Sequence, residues 1–313
     1  MSKEIVMTEA SKTVLEKYQV RKTKKQKRAF GEYIKGVAES NGYSFNTEKG
    51  YFGAENIIVG EPQNTKVIYT AHYDTCPVLP FPNFITPKHI SIYLLYQIAI
   101  VLLMLAAWFL VAGTLRFALS FLGIDEFILF IIDYVVFMAI FLLLYCGPAN
   151  KHTVNDNTSG VTLLLEIMEE MPISEREKVA FVFFDLEEMG MFGSMGFAAK
   201  HKRIKNNTLV INFDCVSDGE NIIFALRKGA KKYRELFESS LEPNDDVNIE
   251  ILDKGVFYPS DQTVFRNGVG VAALKKKGKI LYMNRIHTKR DIVYREENII
   301  YLKDRAVKIT EKI

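Results

Sequence analysis

The sequence predicts an α/β domain interrupted by a membrane-spanning helical hairpin. Three observations carry this expectation. Apolar runs at residues 66–71, Val179–Phe184 and residues 209–213 end abruptly in His72, in Glu187-Glu188 and in Asp214, as buried strands do when they deliver polar side chains to a site at their carboxyl ends. A helix opening at Val161 falls between the first two of those runs. Two long, nearly uncharged stretches, residues 90–115 and 127–145, separate the first strand from the others.

Composition agrees. A hydrophobic content of 49%, with 22 Phe and 15 Tyr among 313 residues, supplies ample core for one large or two medium domains. Mean hydropathy of +0.04 is high for a soluble enzyme and points to a membrane part. A net charge of only +3 does not suggest a nucleic-acid partner. Cys76, Cys146 and Cys215 form no paired or CxxC pattern, which fits a reducing compartment. Residues 1–10 carry early charges and no long apolar core, unlike a secretory signal peptide.

In chain order, residues 7–41 read as one helix with Val14, Leu15, Tyr18, Phe30, Tyr33 and Val37 apolar, ended by Asn41-Gly42. Its basic run, Arg21, Lys22, Lys24, Lys25, Lys27 and Arg28, reads as a solvated face or as a patch facing anionic lipid. Residues 44–60 read as short strands and turns. The strand at 66–71 runs into His72-Tyr73-Asp74-Thr75. His-x-Asp at a strand end puts both side chains on one face. A carboxylate accepting the second ring proton of a zinc-binding His would fix its tautomer, although a purely structural His-Asp pair fits equally.

No charge occurs between His89 and Arg116, a length sufficient to span a bilayer, which takes about 20 residues. The second apolar run is broken only by Asp133, and the connection between the two holds Arg116, Gly123, Asp125 and Glu126. Asp133 is expected to reach the headgroups or pair with Arg116. Trp108, Tyr93, Tyr96 and Tyr145 read as packing or interfacial anchors. Lys88, Lys151 and the 21–28 run flank the soluble part, against Arg116 with Asp125 and Glu126 in the turn. The positive-inside bias therefore places the soluble domain in the cytoplasm.

After the hairpin, Thr153-Val154-Asn155-Asp156-Asn157-Thr158-Ser159-Gly160 opens a helix at Val161. Such a loop is either ordinary capping or a rigid seat from which Asp156 could bridge two metal ions. In the turn after Val179–Phe184, adjacent residues point opposite ways, so one of Glu187 and Glu188 can face a metal while the other faces a different part of the same pocket. Further elements are expected as a strand at 222–226, a helix at 230–241, a loop at 256–261 before a helix containing Val264 and Phe265, a strand at 269–274 and a last helix at 297–309. His89, His152 and His201 fit no motif and read as surface residues.

His72, Asp156, Glu188, Asp214 and His287, with Glu187 beside them, form the candidate site. Two His and three carboxylates suit two zinc ions sharing one carboxylate. A water on such a metal is acidified toward neutrality, and a free carboxylate next to it can act as general base.

The pieces His72-Tyr73-Asp74, Asn155 to Gly160, Asp185-Leu186-Glu187-Glu188-Met189-Gly190 with Phe192-Gly193-Ser194, Phe213-Asp214, Ser260-Asp261, and Ile286-His287-Thr288 with Asp291 closely resemble, in this order, the M28 family of zinc aminopeptidases. The resemblance runs from about Ala29 to the C-terminus, apart from the hairpin. It implies a mostly parallel central sheet flanked by helices. It implies that His72 and Asp214 hold one zinc, that Glu188 and His287 hold the other, that Asp156 bridges them, that Glu187 is the base and that Asp74 supports His72. The peptidase domain would comprise residues 1–88 and 147–313, with residues 89–146 as an inserted transmembrane hairpin that soluble relatives lack. The expected protein is an integral-membrane di-zinc aminopeptidase, its active site close to the lipid bilayer. Its substrate would be a peptide or amide, hydrophobic or membrane-associated. The alternatives are another amide or acyl hydrolase, a glutaminyl-cyclase-like enzyme, or a non-catalytic membrane receptor.

Overall fold

The computed structural model describes residues 7–242 and 244–313. The N-terminal reading of residues 1–10 therefore falls partly outside the described residues. The N-terminal stretch forms two helices, α1 (Glu9–Lys17) and α2 (Lys24–Ser40), where one was expected. Thr23 is the reason. Its hydroxyl accepts the Gln26 N–H at 3.3 Å while the Gln26 amide oxygen accepts the Thr23 N–H at 2.9 Å, a capping box that starts a new helix. The break turns Arg21 inward, where it is fully buried.

The sheet consists of β1 (Phe45–Lys49), β2 (Glu55–Val59), β3 (Val67–His72), β4 (Val179–Phe184), β5 (Leu209–Phe213), β6 (Asn221–Leu226), β7 (Asn248–Leu252), β8 (Gly268–Lys277) and β9 (Ile280–Tyr282). The order is β1-β2-β4-β3-β5-β8-β6-β7, with β9 paired to β8. The four central strands β4-β3-β5-β8 are parallel, and β6 and β7 are parallel to each other; the remaining pairings are antiparallel. β3, β4 and β5 are buried along their whole length, as expected for parallel strands covered on both faces.

Alternation sorts the strand side chains into two layers. Val67, Tyr69, Phe181, Phe183 and Ile211 face a core closed by α1, α2, α5 (Ser159–Glu170) and α9 (Glu296–Lys312). Ile68, Ala180, Val182, Phe184 and Val210 face α6 (Phe192–Lys200) and α7 (Lys202–Asn207). The helix expected at 230–241 is a short 3-10 turn, Ala230–Tyr233, followed by α8 (Arg234–Ser240). The helix expected around Val264 is a single 3-10 turn, Asp261–Val264, and Phe265 leaves it to stack on Phe184. Strands β7 and β9 had no clear pattern in the sequence. His152 is exposed, but His201 is not a free surface residue: its Nε2 lies 2.7 Å from Glu48 and its ring packs on Phe197. His89 is half-buried.

Between β3 and α5 the chain leaves the domain as α3 (Ile90–Ser120) and returns as α4 (Glu126–Cys146). At 1.5 Å per residue these are about 46 Å and 31 Å long, enough to cross a hydrocarbon core of about 30 Å. Their apolar side chains point outward; Leu95, Phe109 and Phe130 are 67%, 66% and 64% exposed. A helix pair in a soluble core would bury these groups. Arg116 bonds Asp133 at 2.7 Å and also reaches Glu126, so the charge inside α4 is paired at the turn as expected.

Candidate metal centre and active site

Every ligand-type residue singled out in the sequence arrives at the carboxyl end of the central strands. His72 is the last residue of β3, Asp214 follows β5, and Glu187 and Glu188 lie in the turn after β4. Asp156 sits in the polar loop before α5 and His287 in the loop before α9. The His72 Nε2 lies 3.2 Å from Asp156 Oδ1 and 3.6 Å from Asp214 Oδ1. The His287 Nε2 lies 3.2 Å from Asp156 Oδ2 and 3.2 Å from Glu188 Oε2. Asp156 thus stands between two groups, offering one oxygen to each.

These separations fit a metal. Donors at about 2.1 Å on a tetrahedral zinc lie about 3.4 Å apart, the spacing seen here. Burial disfavours charge on both histidines, yet the carboxylates around them raise both well above the usual imidazole range. Burial likewise opposes ionised Asp156, but its hydrogen bonds to His287 and His72 hold it below the usual carboxylate range. Glu188 Oε1 is buried with no hydrogen-bond partner. A cation held there would supply the positive charge that this arrangement otherwise takes from protons on the histidines.

The supporting bonds are numerous. Asp291 accepts the N–H groups of Asn155 (2.8 Å) and Asp156 (3.0 Å), and its burial pushes its pKa up to about 7. Asn155 Oδ1 accepts the N–H groups of Ser217 and Asp218, while Asn157 Oδ1 accepts those of Gly160 and Cys215. Among the non-glycine residues with left-handed backbone, Leu186 (φ 54°) and Cys215 (φ 58°) each adjoin a ligand-type residue and His287 (φ 64°) is one. Such residues cost on the order of 1–3 kcal/mol each and persist where the surroundings over-determine them, as at functional sites.

Asp74 serves two partners. The His72 Nδ1 lies 3.1 Å from the Asp74 carbonyl oxygen and 3.6 Å from its carboxylate. The same carboxylate accepts the N–H groups of Glu187 and Glu188, contacts that spacing alone did not suggest.

The site opens into a cavity of about 300 Å³ whose wall includes Glu187, Met189, Tyr258, Ile85 and Tyr145. Burial raises the Glu187 pKa well above the usual range, with Asp214, Asp261 and Glu188 adding to it against His72. Asp261 is fully buried with neither carboxylate oxygen bonded, and burial pushes it up to about 7. Tyr145, expected to be only an anchor, lies on the cavity wall from the last turn of α4. The Lys22 ammonium meets its carbonyl at 2.9 Å.

Four residues were missed. Arg21 was read as part of a basic run. Its guanidinium bonds the Tyr73 carbonyl (2.5 Å), the Tyr18 carbonyl and the Thr158 hydroxyl (3.2 Å), and stacks on Phe30. Lys27 is likewise withdrawn from the run by an ion pair with Asp185, whereas Lys24, Lys25 and Arg28 remain exposed. Tyr258 donates to the Asp214 carbonyl at 2.9 Å. Cys76 lies beside Glu188 and His287. None carried a pattern beyond its neighbours in sequence.

Solved structures with this fold include the LapA aminopeptidase of Legionella pneumophila (TM-score 0.55, 11% identity, covering 96% of this chain and 69% of that one). A leucine aminopeptidase precursor of Bacteroides thetaiotaomicron gives a TM-score of 0.55 at 15% identity, with 97% of this chain and 96% of that one covered. A glutaminyl cyclase of the same organism, bound to N-acetylhistamine, gives 0.57 at 15% identity, covering 97% of each chain. No curated protein matches the sequence. The family model of peptidase family M28 matches residues 136–299, more than half of the chain and a span that holds Asp156, Glu187, Glu188, Asp214 and His287; the chain belongs to peptidase family M28.

Proposed function

We propose that the chain is a membrane-anchored di-zinc aminopeptidase, with residues 1–88 and 147–313 as its peptidase domain and residues 89–146 as a transmembrane hairpin. The observation that carries this reading is Asp156, with one oxygen 3.2 Å from His72 and the other 3.2 Å from His287. His72 and Asp214 would hold one zinc, Glu188 and His287 the other, and Asp156 both. Zinc bound there would polarise the scissile carbonyl and lower the pKa of a water molecule toward neutrality.

Glu187 lines the cavity without belonging to either ligand group. It is placed to take a proton from the attacking water and return it to the leaving amine. Its raised affinity for a proton suits that exchange. Asp74 sets its position through the backbone.

Tyr145 closes one side of the cavity from the end of an apolar helix, so a substrate would reach the site at the membrane surface. That supports peptides or amides with an apolar or membrane-held body. Lys22 meets that helix end, and Lys24 and Lys25 are exposed close to it in sequence, in keeping with a cytoplasmic domain on anionic lipid.

A panel of aminoacyl reporter amides, assayed on detergent-purified protein with and without chelator and alongside metal analysis, tests the reading. Two zinc ions per chain, with free-amine substrates cleaved and activity lost to chelator, are expected. Cyclisation of N-terminal glutamine with a single zinc would instead assign a glutaminyl-cyclase-like reaction. Tightly folded protein with no metal and no turnover would leave a receptor.

A further inference from the structure

We propose that Cys76 is a metal ligand, and that its thiolate gives the Glu188–His287 site four protein donors while the His72–Asp214 site has only three. The proposal rests on the metal-centre reading above and deepens it by making the two sites unequal.

Cys76 is fully buried two residues beyond Asp74. Its carbonyl accepts the Asn150 N–H at 3.1 Å, and Pro77 forms a β-bridge with Ala149. The strand-β3 exit is thereby tied to the segment returning from α4, and the thiol is fixed between them. Its Sγ, a Glu188 carboxylate oxygen and a His287 ring nitrogen all lie within 4.8 Å of one another. Glu188 is itself only 8% exposed, and its Oε1 has no hydrogen-bond partner. An unpaired carboxylate oxygen beside a buried thiol and an imidazole is costly unless a cation joins them. Thiolate, imidazole and carboxylate are the donor types that zinc accepts together in a tetrahedral site.

The second group, His72, Asp156 and Asp214, contains no thiol. With Asp156 shared, one site would have Cys76, Glu188, His287 and Asp156, and the other His72, Asp214 and Asp156. Four protein donors close a zinc site, whereas three leave a position free. The substrate would therefore be met at the His72–Asp214 side, while the Cys76 side holds its metal structurally. On ligation the sulfur–hydrogen bond breaks, its proton goes to solvent, and a sulfur–metal bond forms with no change of oxidation state. A soft sulfur donor also favours zinc over magnesium or manganese at that site.

The experiment uses full-length protein stripped by chelator and reloaded with cobalt(II). Wild type should develop a near-ultraviolet thiolate-to-cobalt charge-transfer band. Cys76→Ser should lose that band while keeping cobalt at the other site, and Cys215→Ser, next to Asp214, should keep it. X-ray absorption on zinc-loaded wild type supplies the arm that needs no variant: a zinc–sulfur distance of about 2.3 Å is expected. Two bound metals with only oxygen and nitrogen neighbours, or an undiminished band in Cys76→Ser, would overturn the role of Cys76. Wild type that binds neither metal would instead sink the metal-centre reading itself.

Discussion

The carboxylate of Asp74 accepts the backbone N–H of Glu187 at 3.0 Å, and its second oxygen accepts that of Glu188 at 3.3 Å. One acid on the β3 exit therefore holds the backbone of both glutamates in the turn after β4. Parallel pairing of β3 and β4, with His72 opposite Phe184, brings the two together. Orientation of both glutamates depends on a group that touches neither of their carboxylates.

Asp74→Asn should loosen that turn. The amide keeps one acceptor but sets an NH2 against the other N–H. Metal affinity or turnover should fall about 10–100-fold, the range for residues that orient ligands, with the circular dichroism spectrum unchanged. Wild-type kinetics and metal content in this variant would show that the turn holds its shape without Asp74.

Glu187 and Glu188 should separate in their phenotypes. Glu187→Gln is expected to keep its zinc and lose kcat by several orders of magnitude, since proton transfer, positioning and charge go together. Glu188→Gln should lose metal as well as activity. Metal analysis beside steady-state kinetics checks both; full turnover in Glu187→Gln would reject it as the base.

Arg21 is the buried cation behind the site, within the field of Asp74 and Asp156; burial lowers its pKa to about 10, which leaves it charged at neutral pH. Arg21→Met removes donors from the Tyr73 and Tyr18 carbonyls and should destabilise the metal-free domain by about 3–5 kcal/mol, as the loss of one partner in a buried charged network does. Lys24→Met, at an exposed position of the same stretch, should change stability by less than about 0.5 kcal/mol. Urea unfolding of both variants makes the comparison; equal midpoints would return Arg21 to the solvated run.

Topology can be read by labelling. Cys76 and Cys215 are buried, so Cys146→Ser removes the one exposed native thiol among the three. A new cysteine at Gly123, in the hairpin turn, should react with an impermeant reagent on intact cells, and one at Asn206 should not. Labelling at Asn206 alone would put the peptidase domain outside.

Local pattern settled what local physics controls. Runs such as Val179–Phe184 must be buried strands, and the acids that end them must emerge at one edge, because a parallel sheet aligns its strand ends. The pair of long apolar helices was equally plain, since 26 consecutive residues run from Ile90 to Leu115 without a charge. His72 and Asp214 stood out as strand ends and Glu187 and Glu188 as the turn after one, whereas Asp156 and His287 were singled out by the motifs around them. Tertiary structure decided everything that depends on which side chains meet across long separations. Arg21 and Lys24 look alike in sequence, yet the helix break at Thr23 buries one and exposes the other. Asp74 was legible as a neighbour of His72, but not as the acceptor of two backbone donors from the β4 turn. Cys76 and Tyr145 carried no motif; the return of the helical pair brings Cys76 beside His287 and Tyr145 onto the cavity wall, because the segments leading into α3 and out of α4 both meet the sheet at its active edge.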